Sequence, residues 1–193
     1  MRRSDEVESI TAIRYKKNMD KAYSLFELIV VIFALSIFLF VSIPKFNFLD
    51  NFILQNELDR LFSTFYYLQQ KAIATNEEQK LYFNLDLNSY EYVGKSNLKQ
   101  NYKLPNKVRF GLLDNIFGPP SKPEKRVNLP ITFKKTKKNL FEVIFYTDGK
   151  ISSGNVYMIT KDKKNLMSLS VSVSPFALIT KYKYQNKKWL FLK

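Results

Sequence analysis

The sequence has no cysteine and no histidine, 5 glycines and 1 tryptophan, and 17 acidic against 31 basic residues in a chain of 193. Each shortage excludes some chemistry. Without thiols there is no disulfide framework and no thiolate metal site, and cysteine usage says nothing of the redox compartment. A folded domain must therefore hold together by packing. Without imidazole there is no Ser-His or Cys-His nucleophile and no histidine zinc ligand. So few glycines leave no phosphate-cradling loop, and energy from nucleotide hydrolysis must come from another protein. These exclusions predict a chain that is not an enzyme, with no catalytic residue, no metal and no cofactor.

What is present is apolar and basic. The run from Tyr23 to Ile43 is 21 residues with Glu27 as its only charge, long enough at ~1.5 Å per residue to cross a ~30 Å hydrocarbon layer. A carboxylate there is unfavourable by ~2 to 3 kcal/mol near the bilayer centre and less near an end, so it calls for a partner. No Lys or Arg lies between Tyr23 and Pro44. Residues 1–22 carry six basic and four acidic side chains, net +2, so a chain cut after Ala22 would keep +12 of the formal +14. A basic leader favours a cytoplasmic amino terminus and an exported carboxy-terminal domain. An uncleaved single-span anchor, with its acid at headgroup level, is the plain alternative. A secretory signal fits less well, because the preceding segment is long and no A-x-A site follows Ile43.

Lys21-Ala22-Tyr23-Ser24-Leu25-Phe26-Glu27-Leu28 resembles the prepilin-type cleavage and methylation motif of type IV prepilins and pseudopilins. That motif is a basic leader, a small residue, an aromatic or Met, a Ser or Thr, two apolar residues, a Glu and a long apolar helix. Ala22 stands where Gly is usual and Tyr23 where Phe or Met is usual. Pro44, twenty-second from Tyr23, falls where many family helices have proline. The resemblance implies cleavage between Ala22 and Tyr23 by a prepilin peptidase, N-methylation of Tyr23, and assembly into a periplasmic filament through Glu27 and the helix around Pro44. The new α-amine, with an ordinary pKa near ~8, would supply the cation that Glu27 lacks, presented by a neighbouring subunit.

Four segments are expected: a cleaved leader (1–22), a transmembrane helix (23–43), a periplasmic amphipathic helix (44–76) and a β-rich domain (77–193). In the second helix Leu54, Leu58, Leu61, Phe65, Leu68 and Ala72 recur at four- and three-residue spacing, a one-sided stripe suited to covering a sheet. Gln69 reads as belonging to the opposite face, where Gln69→Asp should be mild. Pro44 removes a backbone donor and predicts a bend, and Thr75-Asn76 ends the pattern without a glycine. Beyond residue 77 the period becomes two. Strands are predicted at 79–85, 89–94, 107–111, 131–134, 140–147, 155–160, 166–174 and 177–184, with a further one at 188–192. Turns fall at Asp86-Leu87-Asn88 and Asp148-Gly149, and Leu112 to Leu129, rich in proline, reads as an extended surface loop. The fold class is α+β, a helix on a β-sandwich or a strongly twisted antiparallel sheet.

The run Lys71-Ala72-Ile73 before the first strand, and Phe145-Tyr146-Thr147-Asp148-Gly149 late in the domain, look like the minor pseudopilins of the GspH/FimT group. Ser172 to Ala177 stands where that group has a Gly-Arg-rich closing strand. The resemblance implies a minor pseudopilin, a structural subunit of a type II secretion pseudopilus serving protein secretion. Its partners would be other pilin or pseudopilin subunits, the prepilin peptidase, and an inner-membrane assembly platform with its ATPase. It would sit in the bacterial inner membrane by a single pass. The alternative is a DNA-binding minor type IV pilin of a competence system. That reading draws on Lys181, Lys183, Lys187, Lys188 and Trp189, where cations interleave with aromatics. The same alternation also describes an edge strand with its tyrosines packed inward. Asp86, Asn88 and Glu91 could approach a calcium ion but lack the ligand number and glycine of an EF-hand.

Overall fold

The computed structural model describes residues 24–42, 47–93, 98–118, 124–173 and 177–192. The chain divides into two units, Met1–Lys45 and Phe46–Lys193. In the first, α1 spans Leu25–Ser42. Ser24 caps it: the Glu27 N–H, a donor that a helix start leaves orphaned, donates to Ser24 Oγ at 3.2 Å, and the first helical bond runs from the Leu28 N–H to the Ser24 carbonyl at 3.2 Å. Its 18 residues amount to about 27 Å of helix. Among the described residues no helix is long and apolar enough to cross a membrane. Pro44, and with it the expected bend, lies outside the described residues.

Among the described residues the second unit begins with α2, Asn47–Thr75, followed by ten strands. The helix ends where Asn76 turns left-handed, with φ of 52°; asparagine tolerates this because its side chain can bond locally. The predicted stripe faces the core: Leu54, Leu58, Leu61, Phe65, Leu68 and Ala72 are all buried. Full burial of each large apolar side chain is worth about 1.5–3 kcal/mol. Gln69 differs from expectation. It is half-buried and its Nε2 donates to the Gly149 carbonyl at 2.7 Å, so an acid there would face a carbonyl oxygen rather than water.

The strands are β1 Gln79–Asn84, β2 Ser89–Val93, β3 Lys99–Lys103, β4 Val108–Phe110, β5 Lys134–Lys135, β6 Phe141–Phe145, β7 Gly154–Thr160, β8 Leu166–Val173, β9 Ala177–Gln185 and β10 Lys188–Leu192. They form two five-stranded sheets in the orders β3-β2-β1-β6-β5 and β10-β9-β8-β7-β4, antiparallel at every pairing. The fold is α+β: α2 packs against members of both sheets. β3 was not expected. Its sequence, Lys99-Gln100-Asn101-Tyr102-Lys103, has no apolar alternation because it is a mostly exposed edge. The strand expected at 131–134 is instead one bridge, Ile131 to Val156, followed by β5.

Register decides the faces. In β7 and β8, Val156, Met158, Met167 and Leu169 join the core around α2. Their alternates Tyr157, Ile159 and Leu166 join a second, smaller core with Ile116 on the opposite face of the same sheet. The segment after β4 therefore does not simply run over the surface. Ile116 is 2% exposed, Phe117 bridges Arg126, and the Val127 N–H donates to the Ile116 carbonyl at 3.0 Å, so residues 112–118 and 124–127 lie on the sheet as a flap, while 119–123 of the expected loop fall outside the described residues.

Burial of tyrosines sets an alkaline limit. Burial pushes the Tyr157 hydroxyl up from 10.0 to about 12 and drives that of Tyr90 up as well. A phenol whose folded pKa is raised contributes stability that is complete below its unfolded value and is lost as pH rises through the folded one. Denaturant midpoints should thus hold steady up to about pH 10 and fall between there and about pH 12, with tyrosinate absorbance rising alongside. Early titration of every tyrosine with no loss of fold would contradict the burial.

Candidate functional site

Two regions carry the residues to which the sequence points. At the start of α1, Ser24 is the cap and Glu27 sits in the first turn, where an anion is favoured by the helix dipole. From Leu25 to Leu39 the described side chains are all exposed, including Phe26 at 75% and Phe38 at 69%. An apolar helix with every face open is suited to lipid or to other helices, and Glu27 is its one charge. Ala22 and Tyr23 lie outside the described residues.

The second region is the carboxy-terminal hairpin. β9 and β10 are joined at Asn186-Lys187, with φ of 52° and 61°, the two positive values that a tight two-residue hairpin requires. Lys187 is thus a turn residue, where glycine is usual. Pairing β9 to β8 sets Lys181 opposite Leu169 and Lys183 opposite Met167, on the face that looks toward α2. Tyr182 and Tyr184 take the other face, so the tyrosines point away from the main core rather than into it. β9 is also interior to its sheet, with β10 outside it.

Lys181 reaches the helix. Its Nζ lies 2.6 Å from Asp59 Oδ1 and 5.1 Å from the centre of the Phe62 ring, with the side chain 16% exposed. Trp189 faces the smaller core, its ring 5.0 Å from Tyr184 and 5.7 Å from Tyr157, and its Nε1 donates to the Phe117 carbonyl at 2.9 Å. Both side chains are thus engaged within the domain. Lys187 and Lys188 are exposed and Lys183 is half-buried. The five residues do not form one surface.

Asn88 holds a turn in place. Its Nδ2 donates to the Val108 carbonyl at 2.8 Å and its Oδ1 accepts from the Phe110 N–H at 3.0 Å, tying the β1–β2 turn to β4. Glu91 pairs with Lys99 at 2.8 Å. Among the described residues no group of three or more acidic side chains could hold a metal ion.

One acid was not anticipated. Glu57, on α2, is only 7% exposed and accepts the Tyr102 hydroxyl through both carboxylate oxygens, at 3.0 and 2.9 Å. The Arg60 guanidinium lies 4.6 Å above the Tyr102 ring. Burial, and then the bond to Glu57, push the Tyr102 pKa up, so the phenol remains a donor at neutral pH. The helical wheel places Glu57 beside Leu54, Leu58 and Leu61, and only the polar strand β3 explains why a carboxylate fits there. With Asp50–Lys107 at 2.9 Å and Asp59–Lys181, this contact ties acids of α2 to basic and phenolic groups on the strands and turns.

No family model matches the chain, and no curated protein sequence matches it. Among solved structures, the chain is similar to the minor pseudopilin EpsH from the type 2 secretion system of Vibrio cholerae, at 9% identity and a TM-score of 0.37. The alignment covers 72% of this chain and 95% of that one.

Proposed function

We propose that the chain is a minor pseudopilin, a non-enzymatic structural subunit of a type II secretion pseudopilus. The observation that carries this is the start of α1. A small residue and an aromatic precede a serine cap, and three positions after the cap stands the one charge of an otherwise apolar, open-faced helix. The α+β unit with its own amphipathic helix supports the reading, since it is a globular head that such an anchor could carry. In this function the apolar run 23–43, to which α1 belongs, spans the inner membrane with its amino terminus in the cytoplasm. The peptidase cuts after Ala22, and Tyr23 is methylated. The platform and its ATPase then move the subunit from lipid to filament, where neighbouring helices cover the apolar faces. A neighbour's Tyr23 amine would satisfy Glu27 in low dielectric, a pairing whose loss costs more than its net worth because it strands a buried charge.

Mass spectrometry of protein extracted from native membranes should find a mature chain beginning at methylated Tyr23. Ala22→Leu should abolish that species by filling the peptidase's small-residue pocket. Glu27→Gln should leave insertion intact while reducing subunit–subunit crosslinking at equal protein level. Finding only the intact chain in assembling cells would sink the proposal.

A further inference from the structure

We propose that this protein also binds an extended acidic segment of a partner protein, in a cleft on the face of the second sheet that bears the smaller core. The cleft encloses about 830 Å³, within the ~300–1,000 Å³ usual for ligand sites. One wall is the returning arm of the flap, with Lys125 and Arg126. The other is β5 with the segment leading into it, including Lys135, and β7 and β8 form the floor, with Asn155 and Ser170. Those two floor side chains hydrogen-bond to each other. Among the described residues, none that lines the cleft is acidic.

Three observations select the occupant. Among the described residues the charge along the cleft is all positive, and Lys125, Arg126 and Lys135 are exposed, so an acidic ligand is attracted. The cations stand on opposite walls, and two of them have neutral neighbours: the Arg126 guanidinium donates to Asn115 Oδ1 at 3.0 Å and Lys135 Nζ lies 5.9 Å from the Phe141 ring centre. Cations on two walls suit carboxylates along a chain better than a single phosphate. β5 is the terminal strand of its sheet, and an edge strand offers unpaired backbone groups to an added strand.

The floor also holds an unmet polar group. Tyr157 lines the cleft fully buried, and its hydroxyl has no hydrogen-bond partner among the described residues, where buried tyrosine normally finds one. Nucleic acid fits less well: Phe133, Phe141 and Tyr157 are 4%, 5% and 0% exposed, leaving no ring face for base stacking. A second copy of this chain is disfavoured by its formal charge of +14.

The test uses the full-length chain in detergent micelles and a fluorescent peptide of alternating Glu and Leu, read by anisotropy. The peptide should bind saturably, and a matching Lys/Leu peptide should not. The double variant Lys125→Glu with Lys135→Glu should weaken binding about ten-fold or more, while Lys187→Glu with Lys188→Glu, away from the cleft, should leave it unchanged. Added peptide should slow amide exchange at residues 133–135. Absence of binding, equal binding of the Lys/Leu peptide, or equal losses in both charge-reversal pairs would overturn the proposal. So would cleft-dependent binding of a single-stranded oligonucleotide tighter than that of the Glu/Leu peptide at the same salt.

Discussion

Phe65→Asp should leave the β-rich unit unfolded, the largest effect expected from a single substitution in α2. The Phe65 ring is fully buried, with its centre 5.3 Å from that of Phe145, 6.2 Å from Phe133 and 6.4 Å from Phe83. Truncating a buried phenylalanine costs about 3–5 kcal/mol. An unpaired carboxylate in the same place adds the desolvation of a charge, several kcal/mol more even after its pKa shifts. Together these consume most of the ~5–15 kcal/mol that a domain has in total. Circular dichroism of the purified variant should lack the cooperative thermal transition of the parent. Leu61→Asp should behave alike, since Leu61 is 1% exposed. The fitting control is Gln70→Asp, on the exposed face, which should keep its midpoint; Gln69→Asp should not, because the Gly149 carbonyl would lose its donor. Equal midpoints for all of these would mean that α2 does not sit on the sheets.

Trp189→Ala should lower stability by about 2–3 kcal/mol, less than a fully buried tryptophan would cost because this ring is only partly covered. The loss combines its packing on Tyr184 and Tyr157 with the hydrogen bond to the Phe117 carbonyl. Limited proteolysis should then cut the flap, residues 112–118 and 124–127, faster than in the parent. Trp189→Phe should recover most of the packing and lose about 1 kcal/mol for the missing donor. The same variants separate the two functional readings. Were the ring a base-stacking platform, Trp189→Ala would weaken single-strand binding by about 1–3 kcal/mol and leave stability alone. The expected result is the reverse: a lower denaturant midpoint, and weak, salt-sensitive DNA binding that the substitution does not change. Sub-micromolar binding at ~0.15 M salt that depended on Lys183, Lys187 and Lys188 would restore the DNA-uptake reading.

The scarcity of glycine has a counterpart in the backbone. Asn76, Asn88, Asn115, Asn139 and Asn186 all adopt positive φ, as do Lys163 and Lys187. Asparagine is the side chain that best tolerates the left-handed region, so turns that glycine would commonly make are made here by asparagine. Only Gly149 among the described glycines has φ in this range, at 81°, and an added Cβ there would also come within 3.3 Å of Ile73. Thr75-Asn76, Asp86-Leu87-Asn88 and Asp148-Gly149 were therefore legible as turns from residue type.

Much of the fold was legible in the same way. Leu54, Leu58, Leu61, Phe65, Leu68 and Ala72 declare the buried face of α2 because helical spacing and apolar character coincide. Leu81 and Phe83 declare that of β1 because alternation does. Glu27, Ser24 and the apolar character of α1 likewise follow from residues adjacent in sequence. Alternation, however, states only that a strand has two faces. It does not state which face is covered, or by what. In β9 that left Lys181 and Tyr182 ambiguous, and the α2 acid Asp59, 122 residues away in sequence, decides it by drawing the lysine inward. Trp189 is assigned by the carbonyl of Phe117, 72 residues distant, and Glu57 by Tyr102, 45 residues distant on a strand too polar to announce itself. The division into two sheets, the flap with its own small core, and the basic cleft beneath it exist only once strands far apart in the chain are paired. Residue order alone is enough for the periodic faces and for the single acid at the head of an apolar helix, because those depend on neighbours three or four residues away. The polar and basic residues find their partners only in the folded chain, because a charge or a phenol takes its role from whatever the fold sets against it.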